Sequence, residues 1–314
     1  MISFWLKQNE SRVTLEILNA RGALIVRYDN HQDSTVAADS AKKAALLTAF
    51  LDSLGRAGQP RDTAKYVEPD DHSAEDEKPY PQPVPPLPRV PDRRGLNMFA
   101  WNMRYPRAAT FAGMLNIATD GPMALAGTYW VRIHAGSAVD SARFTLKNDP
   151  RATATAAELA EQFAFLKKVR DTTDAAVRSV VAIRALRAQL GDRVQALLIS
   201  TRSEARAAMA LATELAGKLG AIEGELYQVR NQSGQDALNY PSRLTERVSA
   251  LGGVTAGSDA PPTAQTHAVF GMFAPLMQKQ LLEYRKAVRD DLARVNAALR
   301  AAGIREIVPE NVVM

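Results

Sequence analysis

Apolar and polar positions alternate from the start of the chain. Ile2, Phe4 and Leu6 stand between polar or opposite-face neighbours, and Val13, Leu15 and Ile17 alternate with Thr14, Glu16 and Leu18. Asn19 to Gly22 reads as a turn, after which Leu24 and Val26 resume the alternation. A period of two around a turn predicts a hairpin. The pattern then changes. Val36, Lys43, Leu46, Leu47, Phe50 and Leu54 recur at three- and four-residue steps, which predicts a helix over 34–54 stopped by Gly55. From Arg56 to Arg94 an acidic run (Glu68 to Glu77) gives way to Pro79, Pro81, Pro83, Pro85, Pro86, Pro88 and Pro91. Proline fixes φ and donates no ladder hydrogen bond, so this stretch predicts an extended connector, either a tether packed on its own domain or a recognition peptide.

Strand signals return at Leu96 to Arg104, Gly127 to Ile133 and Ala142 to Leu146, with turns at Gly121-Pro122 and at His134 to Ser137. Roughly six or seven short strands divided by a helical and proline-rich insertion predict a β-sandwich over 1–150, with the insertion at 34–94. Trp5, Trp101 and Trp130 read as core or inter-sheet packing, or alternatively as ligand platforms. After Asp149-Pro150 the period changes to that of a helix. Leu159, Phe163, Leu166, Val169, Val177, Val180, Ile183, Leu186 and Leu190 mark one long amphipathic helix whose phase runs on through Val194 and Leu198. Thr201-Arg-Ser-Glu204 has the spacing of a capping box. A second helix follows with Ala208, Leu211, Leu215, Leu219, Ile222, Leu226 and Val229, then a short one over 241–251. A third long helix carries Phe270 to Leu299, and Pro275 should kink it or mark its first turn. The fold class is therefore α+β and multidomain: a β-sandwich, then an all-α antiparallel bundle over 151–314, with spacing near that of left-handed packing.

Composition narrows the function classes. The net charge is +5, but Lys and Arg alternate with Asp and Glu along the helices, as on solvated faces, and no basic stripe with interleaved aromatics points to nucleic acid. There is no cysteine, which removes disulfides, thiol catalysis and Cys-ligated metals. No window is apolar enough for a membrane span. Met1 to Ser11 lacks a basic region followed by an apolar core, so it does not read as a signal peptide, and a chain that begins inside a strand pattern reads as a fragment.

Two features stand out. Gly217, Gly220 and Gly224 share one face of the second long helix, where each glycine costs roughly 0.5–1 kcal/mol relative to alanine. Something is expected to pack on that bare backbone: a neighbouring helix, or another domain or ligand. The second is the amide-rich segment from Tyr227 to Pro241, carrying Gln228, Arg230, Asn231, Gln235, Asp236, Asn239 and Tyr240, with a turn at Ser233-Gly234. Such groups fix a turn. They also suit a contact with a partner or with sugar hydroxyls, Tyr227 and Tyr240 serving as stacking faces.

Catalytic sets are missing. Glu223 and Glu225, two apart on a helix, should diverge, so they do not make a glycosidase pair. Asp236 has no evident partner, and His31, His72, His134 and His267 lack metal-ligand spacing. No nucleophile elbow, phosphate loop or dinucleotide fingerprint occurs. No catalytic residue, metal or cofactor is expected, although pairs distant in sequence can still meet in space.

Gly95 to Pro106 together with Gly121 to Arg132 resembles the terminal immunoglobulin-like sandwich of the flagellar hook-cap type. Asp149-Pro-Arg151 with Tyr227-Gln-Val-Arg-Asn-Gln-Ser-Gly-Gln-Asp236 and Leu238-Asn-Tyr-Pro241 resembles the C-terminal region of large bacterial sortilin-like β-propeller proteins, labelled glycosyl hydrolases or Asp-box (BNR) repeat proteins. The resemblance spans nearly the whole chain. It implies an extracytoplasmic parent, periplasmic or secreted, and a non-catalytic accessory role: docking on a β-propeller or another protein, or binding carbohydrate. The Asp-box turns of the blades are not in this sequence, so any catalysis the label implies would belong to the blades.

Overall fold

The computed structural model describes residues 1–31, 48 and 87–309. Apart from Thr48, the expected helix over 34–54 and the proline-rich stretch through Pro86 lie outside the described residues. The chain is mixed α/β, with small antiparallel sheets and helices. It divides into two compact units: Met1–Asn102 with Gly127–Leu146, and Met103–Ala126 with Lys147–Met314. The sequence division at 150 differs from this, since 103–126 belongs to the helical unit.

The first unit contains six strands among the described residues: β1 (Ile2–Leu6), β2 (Val13–Asn19), β3 (Leu24–Asp29), β4 (Gly95–Phe99), β5 (Gly127–Ala135) and β6 (Ala138–Leu146). They pair as a two-stranded ribbon, β1-β4, and a four-stranded sheet in the order β3-β2-β5-β6. The ribbon follows the alternation, whereas in β2 Glu16 and Leu18 are buried as well as Leu15 and Ile17. Val13, Leu15 and Ile17 are fully buried, as is Val90, while Thr14 and Asn19 are only half-buried. The β2–β3 turn forms as expected: the Asn19 carboxamide oxygen accepts from the Arg21 and Ala23 amides at 2.9 Å each. Gly22 takes φ +78°, a left-handed angle that glycine adopts without steric cost.

Trp101 is 8% exposed and packs with Tyr129 and Phe144, ring centroids 5.9 and 6.1 Å apart. Its core reading holds. Trp130 is half-buried. Trp5 departs from the expectation, for it is 70% exposed on the outer side of the ribbon.

The second unit contains α1 (Ala156–Leu198), α2 (Ala205–Leu226), a 3-10 turn (Gly234–Leu238), α3 (Leu244–Ala256) and α4 (Ala264–Lys286). A π-helical turn (Ala287–Asp291) then leads into α5 (Leu292–Ala301). In α1, Val169, Ala176, Ile183, Leu190 and Leu197 recur every seventh position and all are buried. That seam packs against α2, α3 and α4. Burying one such large side chain contributes about 1.5–3 kcal/mol, which is where most of the helical order comes from.

The start of α1 is a capping box: the Thr155 hydroxyl accepts from the Glu158 amide at 3.2 Å, and the Glu158 carboxylate accepts from the Thr155 amide at 2.7 Å. The box expected at Thr201 does not form. Glu204 is already in the α region and Ala205 opens α2, while Arg202 accepts from the Ala205 amide as a turn. The short helix begins at Leu244, not Pro241, and Pro275 lies inside α4 and not in its first turn.

Candidate functional site

The segment from Tyr227 to Pro241 leaves α2 and returns to α3, and its inner end is buried. Tyr227 is 3% exposed. Its hydroxyl accepts from the Leu115 amide at 3.0 Å and donates to the Gly113 carbonyl at 3.4 Å. Its ring meets Phe111 edge-on at 5.2 Å, and the Arg184 guanidinium lies 4.3 Å from the Phe111 centroid. One tyrosine thus ties the loop 103–126 to the end of α2. Burial pushes its phenol pKa up.

Gln228 does the same work toward α3. Its carboxamide nitrogen donates to the Pro241 carbonyl at 2.8 Å and its carboxamide oxygen accepts from the Arg230 amide at 3.3 Å. Its backbone amide donates to Glu246 Oε1 at 3.0 Å, while Glu246 Oε2 accepts from the Arg243 amide at 2.6 Å. Glu246 is 4% exposed, and burial raises its pKa above the ordinary 4.5 although the two amides favour the carboxylate. The residues that close this loop onto itself are therefore Tyr227, Gln228 and Glu246. Glu246 was not picked out from sequence, although a glutamate in the first turn of a helix is where a side-chain acceptor for free amides is expected.

The outer part is different. Asp236 Oδ2 accepts from the Gln232 and Ser233 amides at 2.6 and 2.8 Å, and those bonds hold its carboxyl below the usual range. Its partners are therefore backbone amides of its own turn. Gln235 and Asn239 are exposed, as is Arg230, whose guanidinium lies 4.3 Å over the half-buried Tyr240 ring. Val229 is 51% and Leu238 86% exposed. Asn231 is half-buried, and its Oδ1 is enclosed without a hydrogen-bond partner.

The glycine face corrects an expectation. A Cβ at Gly217 or Gly224 would meet nothing within 4 Å, so no neighbouring helix among the described residues closes on that backbone. At Gly220 the neighbour is the Arg187 guanidinium, 3.3 Å from where a Cβ would stand. Its purpose is visible one turn further on. Glu223, 2% exposed, accepts from Arg184 Nε at 2.6 Å and Arg187 Nη1 at 2.7 Å. The missing side chain at Gly220 leaves room for Arg187 to reach it. Glu225 points outward to Arg243 at 3.5 Å, so the two carboxylates diverge as their spacing predicts.

A cavity of about 100 Å³ in this unit is lined by Arg104, Asp120, Leu166, Arg170, Ser249 and Gly252 among others, and by no residue of the 227–241 segment. His134 sits beside Glu16, and His267 beside Glu161 at 3.5 Å. Among the described residues no three of His, Asp and Glu gather as a metal site. No helix among them is long and apolar enough to cross a membrane. No protein-family model, curated protein or solved structure matches the chain.

Proposed function

We propose that this chain is a non-catalytic accessory region of a sortilin-like, Asp-box β-propeller protein labelled a glycosyl hydrolase, and that it docks on a propeller or another protein. In this reading the strand unit is an immunoglobulin-like sandwich, the helical unit is an antiparallel bundle, and the parent is periplasmic or secreted. One observation carries the docking: the outer turn exposes Val229 and Leu238 beside the Tyr240–Arg230 stack, directly after a helix whose Gly217 and Gly224 backbone is uncovered. Exposed apolar groups beside bare backbone suit a protein contact. A pull-down with an Asp-box propeller of the sortilin-like type should retain the chain, and Leu238→Asp should weaken retention at least tenfold with the melting temperature unchanged. No retention, or retention indifferent to Leu238→Asp, would overturn the reading.

A second reading, a carbohydrate-binding module, is supported by the Arg230-backed ring of Tyr240, which offers a face for sugar stacking. Of the other aromatics suited to that role, Trp101 and Tyr227 are buried. A glycan array with hits that Tyr240→Ala removes supports this reading; an empty array, or affinity unchanged in Tyr240→Ala, counts against it.

A further inference from the structure

The ribbon of the strand unit carries a surface of another kind. In its register Trp5 stands opposite Leu96, and Ser3 opposite Met98. Alternation turns Leu6, Asn97 and Phe99 inward, where each is buried, and leaves Trp5, Leu96 and Met98 outward at 70%, 65% and 54% exposure. Beyond the Leu6–Gly95 pair the chain carries Lys7 on one side and Arg93 and Arg94 on the other, all three exposed. No carboxylate among the described residues pairs with any of these cations. The neighbouring acids are already engaged. Asp92 accepts from Asn30 and Arg89, and Glu10 accepts from Gln8. The Arg94 amide donates to Asn9 Oδ1 at 2.8 Å, which fixes the cationic end of the ribbon.

We infer that this face is a peripheral contact with an anionic lipid surface. Trp5, Leu96 and Met98 enter the boundary between headgroups and acyl chains, and Lys7, Arg93 and Arg94 meet the lipid phosphates. Charge complementarity and area decide the occupant. A specific protein interface covers roughly 800 Å² on each partner and seats its anchor aromatic in a walled, desolvated pocket. Three side chains raised on a ribbon of two five-residue strands supply a small part of that area. A lipid surface makes no such demand: a few apolar groups and adjacent cations suffice, and tryptophan favours that depth.

The experiment is co-sedimentation of the full chain with vesicles of phosphatidylcholine alone and of phosphatidylglycerol and phosphatidylcholine in equal parts, read with tryptophan fluorescence. Trp5 is the most exposed of the three tryptophans, so its insertion should dominate a blue shift. Binding is expected to the anionic vesicles and to weaken on raising salt. Each of Lys7→Gln, Arg93→Gln and Arg94→Gln should cost about fivefold in partition. Trp5→Ala should cost about tenfold or more. These side chains are exposed, so the melting temperature should stay where it is, which separates lost binding from lost folding. Absence of binding to anionic vesicles would overturn the inference, as would binding indifferent to Trp5→Ala. Capture by an acidic polypeptide in place of vesicles, dependent on the same residues, would also overturn it and assign the face to an acidic protein.

Discussion

The two ends of the Tyr227–Pro241 segment share one composition and have opposite roles. At the inner end, Tyr227 and Gln228 are buried and spend their polar groups on Leu115, Gly113, Pro241 and Glu246. At the outer end, Gln235, Leu238 and Asn239 face solvent, and Asp236 bonds only within its own turn. An amide or a hydroxyl carries no label saying which role it will have. The role is set by whether a second part of the chain arrives over it, and here residues 103–126 and α3 arrive over the inner end alone.

That contrast can be broken by mutation, and the largest effect belongs to Glu246. Glu246→Ala leaves the Gln228 and Arg243 amides without their acceptor, and should cost about 2–4 kcal/mol in chemical denaturation. Gln228→Ala removes the bridge to Pro241 and should cost about 1–3 kcal/mol. Leu238→Ser, on the outer end, should shift stability by no more than about 0.5 kcal/mol.

A comparison between the two units sharpens with pH. In the strand unit, Glu16 is 4% exposed and flanked by Arg27, Arg132 and His134. Burial alone would raise its pKa, but the Arg27 and His134 contacts outweigh it and hold the group below the ordinary 4.5. Its stabilisation is present above 4.5 and is lost as pH falls through the lowered value. Glu246 has the opposite sign. Its raised value means that its stabilisation is complete below 4.5 and is lost as pH rises through the folded value. Relative to wild type, Glu246→Gln should therefore gain stability as pH rises above 4.5, whereas Glu16→Gln should lose its disadvantage as pH falls below it. Melting temperatures of both variants across that range check the two signs; matching signs would contradict the assignment.

Much of this fold was legible where one period ran long enough. The seam of α1 could be read from Val169 to Leu190, where Val177, Val180, Ile183 and Leu186 are buried too, but the phase expected to run on through Leu198 does not: Leu198 is 59% exposed and Leu197 takes the buried place. The alternation in β1 and β2 also showed which residues share a side. What the alternation could not show is which side is covered: Trp5 obeys the pattern and is still 70% exposed, because no element among the described residues covers the outer face of the ribbon. Capping signals were ambiguous for a related reason. Thr155 and Thr201 both precede a glutamate by three residues, but Thr155 is extended and stands directly before α1, whereas α2 opens only after Glu204, which is itself in the α region. The glycines misled because their spacing suggested a helix pressed against bare backbone. What meets Gly220 is the long side chain of Arg187, bound for Glu223, and that pairing joins residues distant in sequence.

The most direct measurement compares two tyrosines at opposite ends of the segment. Thermal and chemical unfolding of Tyr227→Phe and Tyr240→Phe should show a loss of about 1–1.5 kcal/mol for the first, which forfeits its hydroxyl bonds to Leu115 and Gly113, and a change within about 0.5 kcal/mol for the second. Equal losses, or a larger loss for Tyr240→Phe, would contradict the division of this segment into a structural inner end and a free outer one.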